Sequence, residues 1–189
     1  MPAAKPRLLF LLSGSIACYK ACHAISRLTQ AGIEVRTVAT PAALRFVGGA
    51  TLEGLTGSPV FSDVWTEGRA MDHINLARWA DLALVCPATA NTLNRLAAGL
   101  ADDPIGALFL AWEIQQKPWW VAPAMNHAML AHPATQASLA RLRPMGVRVL
   151  DAGNGALACG ETGEGRLIEP EALVAQVLVE LGPRIARQV

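Results

Sequence analysis

The sequence predicts an α/β fold in which helices cover both faces of a parallel sheet. Short apolar runs alternate along the chain with segments of helix-compatible spacing, an order typical of right-handed βαβ crossovers. The runs are uninterrupted, as expected of strands buried on both faces. Polar or glycine-containing segments follow the strands directly, and ligands of such sheets bind at the carboxyl ends of the strands. Together these features predict a three-layer, Rossmann-like or flavodoxin-like domain.

The elements follow in order along the chain. The apolar runs predict strands over residues 7–12, 34–40, 82–86, 119–122 and 147–150. The helical spacing predicts helices over residues 16–30, 90–101, 105–112, 135–145 and 170–181, with Gly32 as the first C-cap. Prolines end three of the strands, at Pro41, Pro87 and Pro123.

Composition limits the class of protein. A chain of 189 residues, 52% hydrophobic and with a net charge of +1, fits one ordered domain over residues 1–189 and argues against a binder of nucleic-acid phosphates. No run approaches the roughly 18 apolar residues of a membrane span, and the apolar segment 8–12 is too short for a secretory signal. The four cysteines show no paired spacing, so we expect reduced thiols in a cytoplasmic protein without a metal site.

The turn at residues 13–17 joins the first strand to the first helix. Its backbone N–H groups and the positive helix N-terminus favour a phosphate, and Gly14 permits close approach. The further glycines of a dinucleotide fingerprint are missing, which favours a mononucleotide. A tight turn without any ligand is an equal alternative.

Three other corners carry candidate side chains. Thr89, Asn91 and Thr92 follow the third strand; they serve as helix caps or as hydrogen-bonding partners of a heteroaromatic ring. Asn126, between two methionines after the fourth strand, offers one polar handle in an apolar pocket, although ordinary packing also explains the methionines. His73 is either a cap or surface residue or the readiest proton-transfer group in the chain.

The segment 158–166 holds three glycines within six residues, together with Cys159 and Arg166. We expect neither a strand nor a helix there, but a mobile loop that folds over a site. A solvated hairpin turn is the alternative, in which an exposed thiol would be an unusual choice.

In combination, these segments resemble the flavin-containing cysteine decarboxylases, which act on peptidyl or phosphopantothenoyl cysteine. The matching segments run in family order over most of the chain: residues 13–20, His73 with 76–81, 87–92, 97–103, the Pro-Ala-Met-Asn-x-x-Met segment and 158–166. The last segment favours the phosphopantothenoylcysteine branch, whereas Leu130 stands where the family often has Trp. The resemblance implies FMN as cofactor, a small-molecule cysteine-containing substrate, and a homotrimer or a tetramer of trimers with active sites at subunit boundaries.

The resemblance also implies residue roles. Those assigned to the FMN phosphate are Gly14, Ser15, Ile16 and Thr40, and Phe46 is assigned to the isoalloxazine ring. Those assigned to the ring or ribityl chain are Thr89, Ala90, Asn91, Thr92, Ala101 and Asp102. Asn126, Met129 and Arg166 are expected to bind substrate, and His73 and Cys159 to be catalytic.

The implied reaction converts 4′-phosphopantothenoylcysteine to 4′-phosphopantetheine through thioaldehyde and enethiol intermediates, in coenzyme A biosynthesis. Bacterial relatives often carry a fused ligase domain, for which 189 residues leave no room, so a separate ligase is expected. Three alternatives remain open: an enzyme that decarboxylates a peptidyl cysteine, an FMN-binding prenyltransferase of similar fold, and an FMN-binding regulatory subunit.

Overall fold

A five-stranded parallel sheet forms the centre of the molecule in a computed structural model that describes residues 5–156 and 162–186. Its strands are β1 (Arg7–Leu12), β2 (Glu34–Ala39), β3 (Leu82–Ala88), β4 (Trp119–Pro123) and β5 (Val147–Val149). Their order is β2-β1-β3-β4-β5, with every pairing parallel. The chain runs from β1 to one side and then crosses to β3 on the other, so the switch point lies between β1 and β3. The predicted fold class is confirmed.

Eight helices occur in the described chain. They are α1 (Cys18–Gln30), α2 (Gly49–Thr56), α3 (Asp72–Trp79), α4 (Ala90–Ala98), α5 (Pro104–Ala111), α6 (His127–Ala131), α7 (Pro133–Leu142) and α8 (Pro170–Ala186). Helices α2 and α6 were not predicted from the sequence. The helix predicted from residue 90 to residue 101 is shorter in the structure, since Gly99 adopts a left-handed conformation (φ 70°) that ends α4 after Ala98.

Alternation of side chains along the strands divides the core into two clusters. In β1, Leu8, Phe10 and Leu12 face one side and pack with α1, α2 and α8. Leu9 and Leu11 face the other side, where α3, α4, α5 and α7 pack. Because all five residues are fully buried, β1 is covered on both faces, as its unbroken apolar run predicted.

A small antiparallel hairpin replaces part of the predicted loop. Residues Thr162–Arg166 form β7, which pairs with β6 (Gly153–Ala156). The prediction that no strand lies within 158–166 is therefore wrong for this part. Glycine at position 165 reflects a close approach, because a Cβ there would lie 2.3 Å from the Met125 carbonyl oxygen.

None of the helices in 5–156 and 162–186 has the length and apolar character needed to cross a membrane. The same residues contain no group of three or more His, Cys, Asp or Glu side chains placed to hold a metal ion.

Candidate active site

A cavity of about 650 Å³ opens at the carboxyl ends of β1, β3 and β4, beside the switch point of the sheet. Its size falls within the usual range of small-molecule sites. The predicted residues that line it are Gly14, Ser15, Ile16, Phe46, Thr89, Asn126, Met129 and Arg166. Eight residues that were predicted from separate segments of the sequence thus lie around one cavity.

The β1–α1 turn presents backbone to this cavity. Gly14 is needed because a Cβ at this position would lie 2.6 Å from the Cβ of Ala42. The Ser15 hydroxyl accepts a hydrogen bond from the Ala17 N–H at 3.2 Å, but no side chain of the described residues caps the first turn of α1. The positive end of a 13-residue helix therefore lies at the cavity wall, where it favours an anion.

The β3–α4 corner is instead closed by two hydroxyl groups, one from its own Thr89 and one from Ser13, the residue that follows β1. Buried Ser13 donates to the Pro87 carbonyl at 2.7 Å and accepts from the Thr89 N–H at 3.0 Å. Thr89 in turn caps α4 by accepting from the Thr92 N–H at 3.4 Å. The structure thus realises the capping alternative at this corner, while Thr89 also lines the cavity.

The β4–α6 corner is tied to the hairpin. The Met125 N–H donates to the Gly165 carbonyl at 2.9 Å, and Ala124 donates to Ala88 at 3.0 Å. The Asn126 side chain accepts from the Ala128 N–H at 2.8 Å, so it caps α6 as well as lining the cavity. Asn126 is consequently held in a fixed orientation at the cavity wall.

Lys20 and Arg166 are the charged residues that line the cavity in the described part of the chain, and both are cationic. Both contact Glu169: Lys20 Nζ lies 2.9 Å from each carboxylate oxygen, and Arg166 Nη2 lies 2.9 Å from Oε1. The hydrogen bond from Lys20, reinforced by the charges of both cations, lowers the pKa of Glu169 below its ordinary value.

Other predicted residues lie away from the cavity lining. Thr40 Oγ1 accepts a hydrogen bond from the Ala43 N–H at 3.1 Å, at the start of the short helical turn Ala43–Arg45, and Asp102 pairs with Arg95. Ala90, Asn91, Thr92 and Ala101 are also absent from the lining. Cys159 lies outside the described residues.

His73 lies in the first turn of α3 and does not line this cavity. Its Nδ1 atom is buried without a hydrogen-bond partner among the described residues. Such an atom is a site to which a polar group can still be supplied. Within one copy of the chain, His73 and the cavity are therefore separate.

The described cysteines are poorly suited to act as thiolates. Burial raises the pKa of Cys18, Cys22 and Cys86, most strongly at Cys86. Cys18 donates to the Ser13 carbonyl at 3.4 Å, and none of these three lines the cavity. They are structural residues, and all three are free thiols, as the sequence predicted.

The sequence analysis missed two residues at the site, Lys20 and Glu169. A signal for Lys20 was present, because it falls one turn before Ala24 on the apolar face of α1. A lysine at such a position needs a buried partner. Nothing in the sequence indicated that Glu169, far along the chain, supplies it.

Comparison with protein families gives one match over nearly the whole chain: the Flavoprotein family model matches residues 2–182. Among curated proteins, the chain is 43% identical over 180 residues to the coenzyme A biosynthesis bifunctional protein CoaBC of Mycolicibacterium smegmatis. That alignment covers 94% of this chain but 43% of the relative, so the chain spans less than half the length of that protein. It is also 38% identical to a probable phosphopantothenoylcysteine decarboxylase of Streptococcus mutans, covering 93% of this chain and 98% of that one.

Solved structures agree with this placement. A PPC decarboxylase variant in complex with pantothenoylaminoethenethiol superposes with a TM-score of 0.84 at 33% identity, covering 95% of this chain and 100% of the other. The FMN binding protein AtHal3 gives a TM-score of 0.80 at 32% identity, with coverage of 95% and 98%.

Proposed function

Because this chain belongs to the Flavoprotein family, we propose that it binds FMN and decarboxylates 4′-phosphopantothenoylcysteine to 4′-phosphopantetheine in coenzyme A biosynthesis. The relatives named above for this activity support the substrate. The observation that carries the proposal is the cavity, where an uncapped helix N-terminus, an asparagine and two cations converge. Under this proposal residues 1–189 act as a single FMN-binding domain in the cytoplasm.

The residues present at the cavity fit FMN. The uncapped end of α1, with Gly14, Ser15 and Ile16, offers backbone N–H groups suited to one phosphate. Phe46, 53% exposed at the cavity wall, offers an apolar surface to a flat ring. When bound, FMN supplies the hydride acceptor that makes oxidation of the substrate thiol possible.

The polar side chains then have defined tasks. Asn126, fixed by its bond to Ala128, holds the substrate carboxylate so that the bond to CO2 lies out of the plane of the developing enethiol. His73 assists proton transfer at the oxidation or decarboxylation step. Cys159 would supply the proton when the enethiol is reduced to the saturated thiol, for which the bound flavin would return the hydride taken up in the oxidation, and Met129 and Arg166 contact the substrate.

A homotrimer, or a tetramer of trimers, completes the site under this proposal. His73 does not line the cavity of its own chain, and Met71 beside it is 60% exposed. Ile16, Tyr19, Phe46 and Met129 at the cavity are also exposed apolar residues. Burying them against a second copy brings His73 of that copy to the cavity.

The test measures cofactor, CO2 and product in turn. The purified protein should carry, or take up, FMN and release CO2 from 4′-phosphopantothenoylcysteine, with 4′-phosphopantetheine identified by mass. A protein that cannot be reconstituted with FMN contradicts the proposal. Turnover of a peptidyl cysteine alone would assign the activity to the peptide-acting branch.

Two variants test the residue roles. His73→Asn should lower CO2 release by roughly 10²- to 10⁴-fold while FMN remains bound, whereas His23→Asn, on α1 beside Glu171, should leave it unchanged. Cys159→Ser should accumulate the oxidised enethiol product, while Cys22→Ser should not. Full activity of His73→Asn, or a normal yield of saturated product from Cys159→Ser, removes that residue from the mechanism.

A further inference from the structure

Glu169 lies behind the cavity rather than on its wall, although it contacts both cations of that wall. It follows β7 and immediately precedes α8, whereas Lys20 lies on α1. The contacts of its carboxylate therefore join α1 to the hairpin. Because the carboxylate does not itself face the cavity, its role is to hold its two partners.

The two cations differ in what they can offer to a ligand. The Lys20 side chain is only 10% exposed, and its ammonium group is engaged with both Glu169 oxygens. The Arg166 side chain is 40% exposed, and its Nη2 uses Glu169 while four other N–H donors belong to the same guanidinium. Arg166 is therefore the cation able to bind a ligand in the cavity.

The hairpin backbone also lies beside the Arg166 side chain. Gly155 lies so close that a Cβ there would be 3.1 Å from Arg166 Nη1. The guanidinium is thus held by the Glu169 carboxylate in a place where glycine at position 155 leaves room for it. A confined arginine loses less conformational freedom on binding, and its planar fork suits a phosphate.

Charge at this edge of the cavity favours an anion. Glu169 is ionised at neutral pH, since its pKa is lowered, so it offsets one of the two cations and leaves one positive charge. The rest of the nearby wall is largely apolar, including Ile16 and Met129. Such a site suits a ligand with an apolar body and one anionic end.

We propose that Glu169 is a positioning residue that fixes Arg166 to recognise the 4′-phosphate end of the substrate. The inference rests on the proposed function, from which it takes the substrate. The proposed function contains a second phosphoryl group, the phosphate of FMN, which is assigned to the N-terminus of α1. The experiment below distinguishes recognition of the substrate phosphate from recognition of the FMN phosphate.

The experiment compares phosphorylated and non-phosphorylated substrate. We would measure kcat and KM for 4′-phosphopantothenoylcysteine and for pantothenoylcysteine with the FMN-loaded protein. Arg166→Gln should raise KM for the phosphorylated substrate by about 10- to 100-fold, the range for one charge-assisted hydrogen bond, and change KM for the other less than about threefold. Glu169→Gln should also raise KM selectively for the phosphorylated substrate, by a smaller factor of about 3- to 10-fold, with kcat retained.

Control variants and binding measurements complete the design. Glu171→Gln, two residues further and 3.7 Å from His23, should leave both KM values unchanged. Glu169→Asp should restore part of the discrimination, because it keeps the charge. Calorimetric binding of 4′-phosphopantothenate, which lacks the cysteine, should weaken in Arg166→Gln and Glu169→Gln, while the Kd of FMN stays constant.

Three outcomes overturn the inference. An unchanged ratio of the two KM values in both variants, with only a lower melting temperature, assigns Glu169 a structural role. Weaker FMN binding with unchanged substrate discrimination assigns Arg166 to the cofactor. If the wild-type protein decarboxylates neither substrate, the proposed function is contradicted instead. In that case the inference is tested by binding alone, and it is overturned if wild type and variants bind 4′-phosphopantothenate equally well.

Discussion

The corner after β3 engages its hydroxyl groups in internal hydrogen bonds, whereas the corner after β1 leaves the first turn of α1 without a side-chain cap from the described residues. Both corners join a buried strand to a helix at the same edge of the sheet, and both are rich in small polar residues. The backbone groups of the β3 corner are satisfied by Thr89 and by Ser13, which reaches across from the end of β1. At the β1 corner, Gly14, Ser15, Ile16 and Ala17 line the cavity.

This difference separates stability from binding. The β3 corner supports the wall with neutral, buried hydrogen bonds, which need no ligand to be satisfied. The β1 corner holds its shape through close contact at Gly14 and leaves the helix dipole available to an anion. Removing the hydrogen bonds that close the β3 corner, including those made by Ser13, should therefore affect folding first, and changing the backbone shape of the β1 corner at Gly14 should affect cofactor binding first.

The largest effect is expected for Gly14→Ala. The added methyl group would lie 2.6 Å from the Cβ of Ala42 and 3.0 Å from its carbonyl carbon, so the turn must shift. Overpacking of this kind costs about 1–3 kcal/mol, and we expect the FMN content of the purified protein to fall on the order of tenfold or more. The measurement is the ratio of flavin to protein absorbance after purification with excess FMN.

Two variants test this explanation of the Gly14 effect. Ala42→Gly in the Gly14→Ala background removes the closest contact and should restore part of the flavin content. Gly54→Ala, on α2 with no atom within 4 Å of the added Cβ, should leave flavin content unchanged. If the double variant binds no more FMN than Gly14→Ala, the contact with the Ala42 side chain is not the cause.

A smaller effect, on folding rather than binding, is expected for Ser13→Ala. The change leaves the Thr89 N–H without its acceptor and removes a donor to Pro87. The free energy of unfolding in urea should fall by about 1–3 kcal/mol, while the Kd of FMN changes little. Ser26→Ala, a partly buried serine on α1, should stay within about 0.5 kcal/mol of wild type. Loss of FMN binding without loss of stability in Ser13→Ala would contradict the division between the two corners.

The five strands of the central sheet were predicted well from the sequence, whereas the backbone that lines the cavity was predicted only in part. The apolar run of β1 allowed one interpretation, because burial on both faces leaves no polar position. The β1–α1 turn was compatible with a ligand or with a tight turn, since neither the missing cap nor the contact with Ala42 can be read from local sequence. Whether Thr89 caps a helix or faces a ligand was also undecidable from sequence; in the structure it caps α4 and also lines the cavity.

The β6–β7 hairpin shows why the glycine-rich segment was predicted incorrectly. Glycines lower strand propensity, so residues 162–166 were predicted to be a loop. In the structure, Gly165 allows β7 to approach the Met125 carbonyl, and Gly155 leaves room for Arg166. The Lys20–Glu169 ion pair was not predicted for a related reason: its partners are 149 positions apart in the sequence, and only the tertiary fold brings them together.

The smallest expected effect is on the pH dependence of stability, and it arises beside the β1 corner. The pKa of Glu169 is lowered in the folded protein, so its ion pairs contribute stability above the ordinary glutamate pKa of 4.5 and lose it as the pH falls through the folded value. Because the Glu169 side chain is 51% exposed, we expect less than about 1 kcal/mol. Between pH 7 and roughly pH 3.5, the free energy of unfolding should therefore fall slightly more in wild type than in Glu169→Gln.

The same titration distinguishes the two corners. Ser13 and Thr89 hydroxyl groups do not ionise in this range, so the difference between wild type and Ser13→Ala should stay constant as the pH falls. The difference in the free energy of unfolding between wild type and Glu169→Gln should become smaller as the pH falls. It should also become smaller in 1 M salt, which screens an exposed ion pair. A Glu169→Gln difference that is equally large at both pH values would mean that the side chain stabilises through packing or neutral hydrogen bonds, as the β3 corner does, and that the α1 side of the cavity is not held by charge.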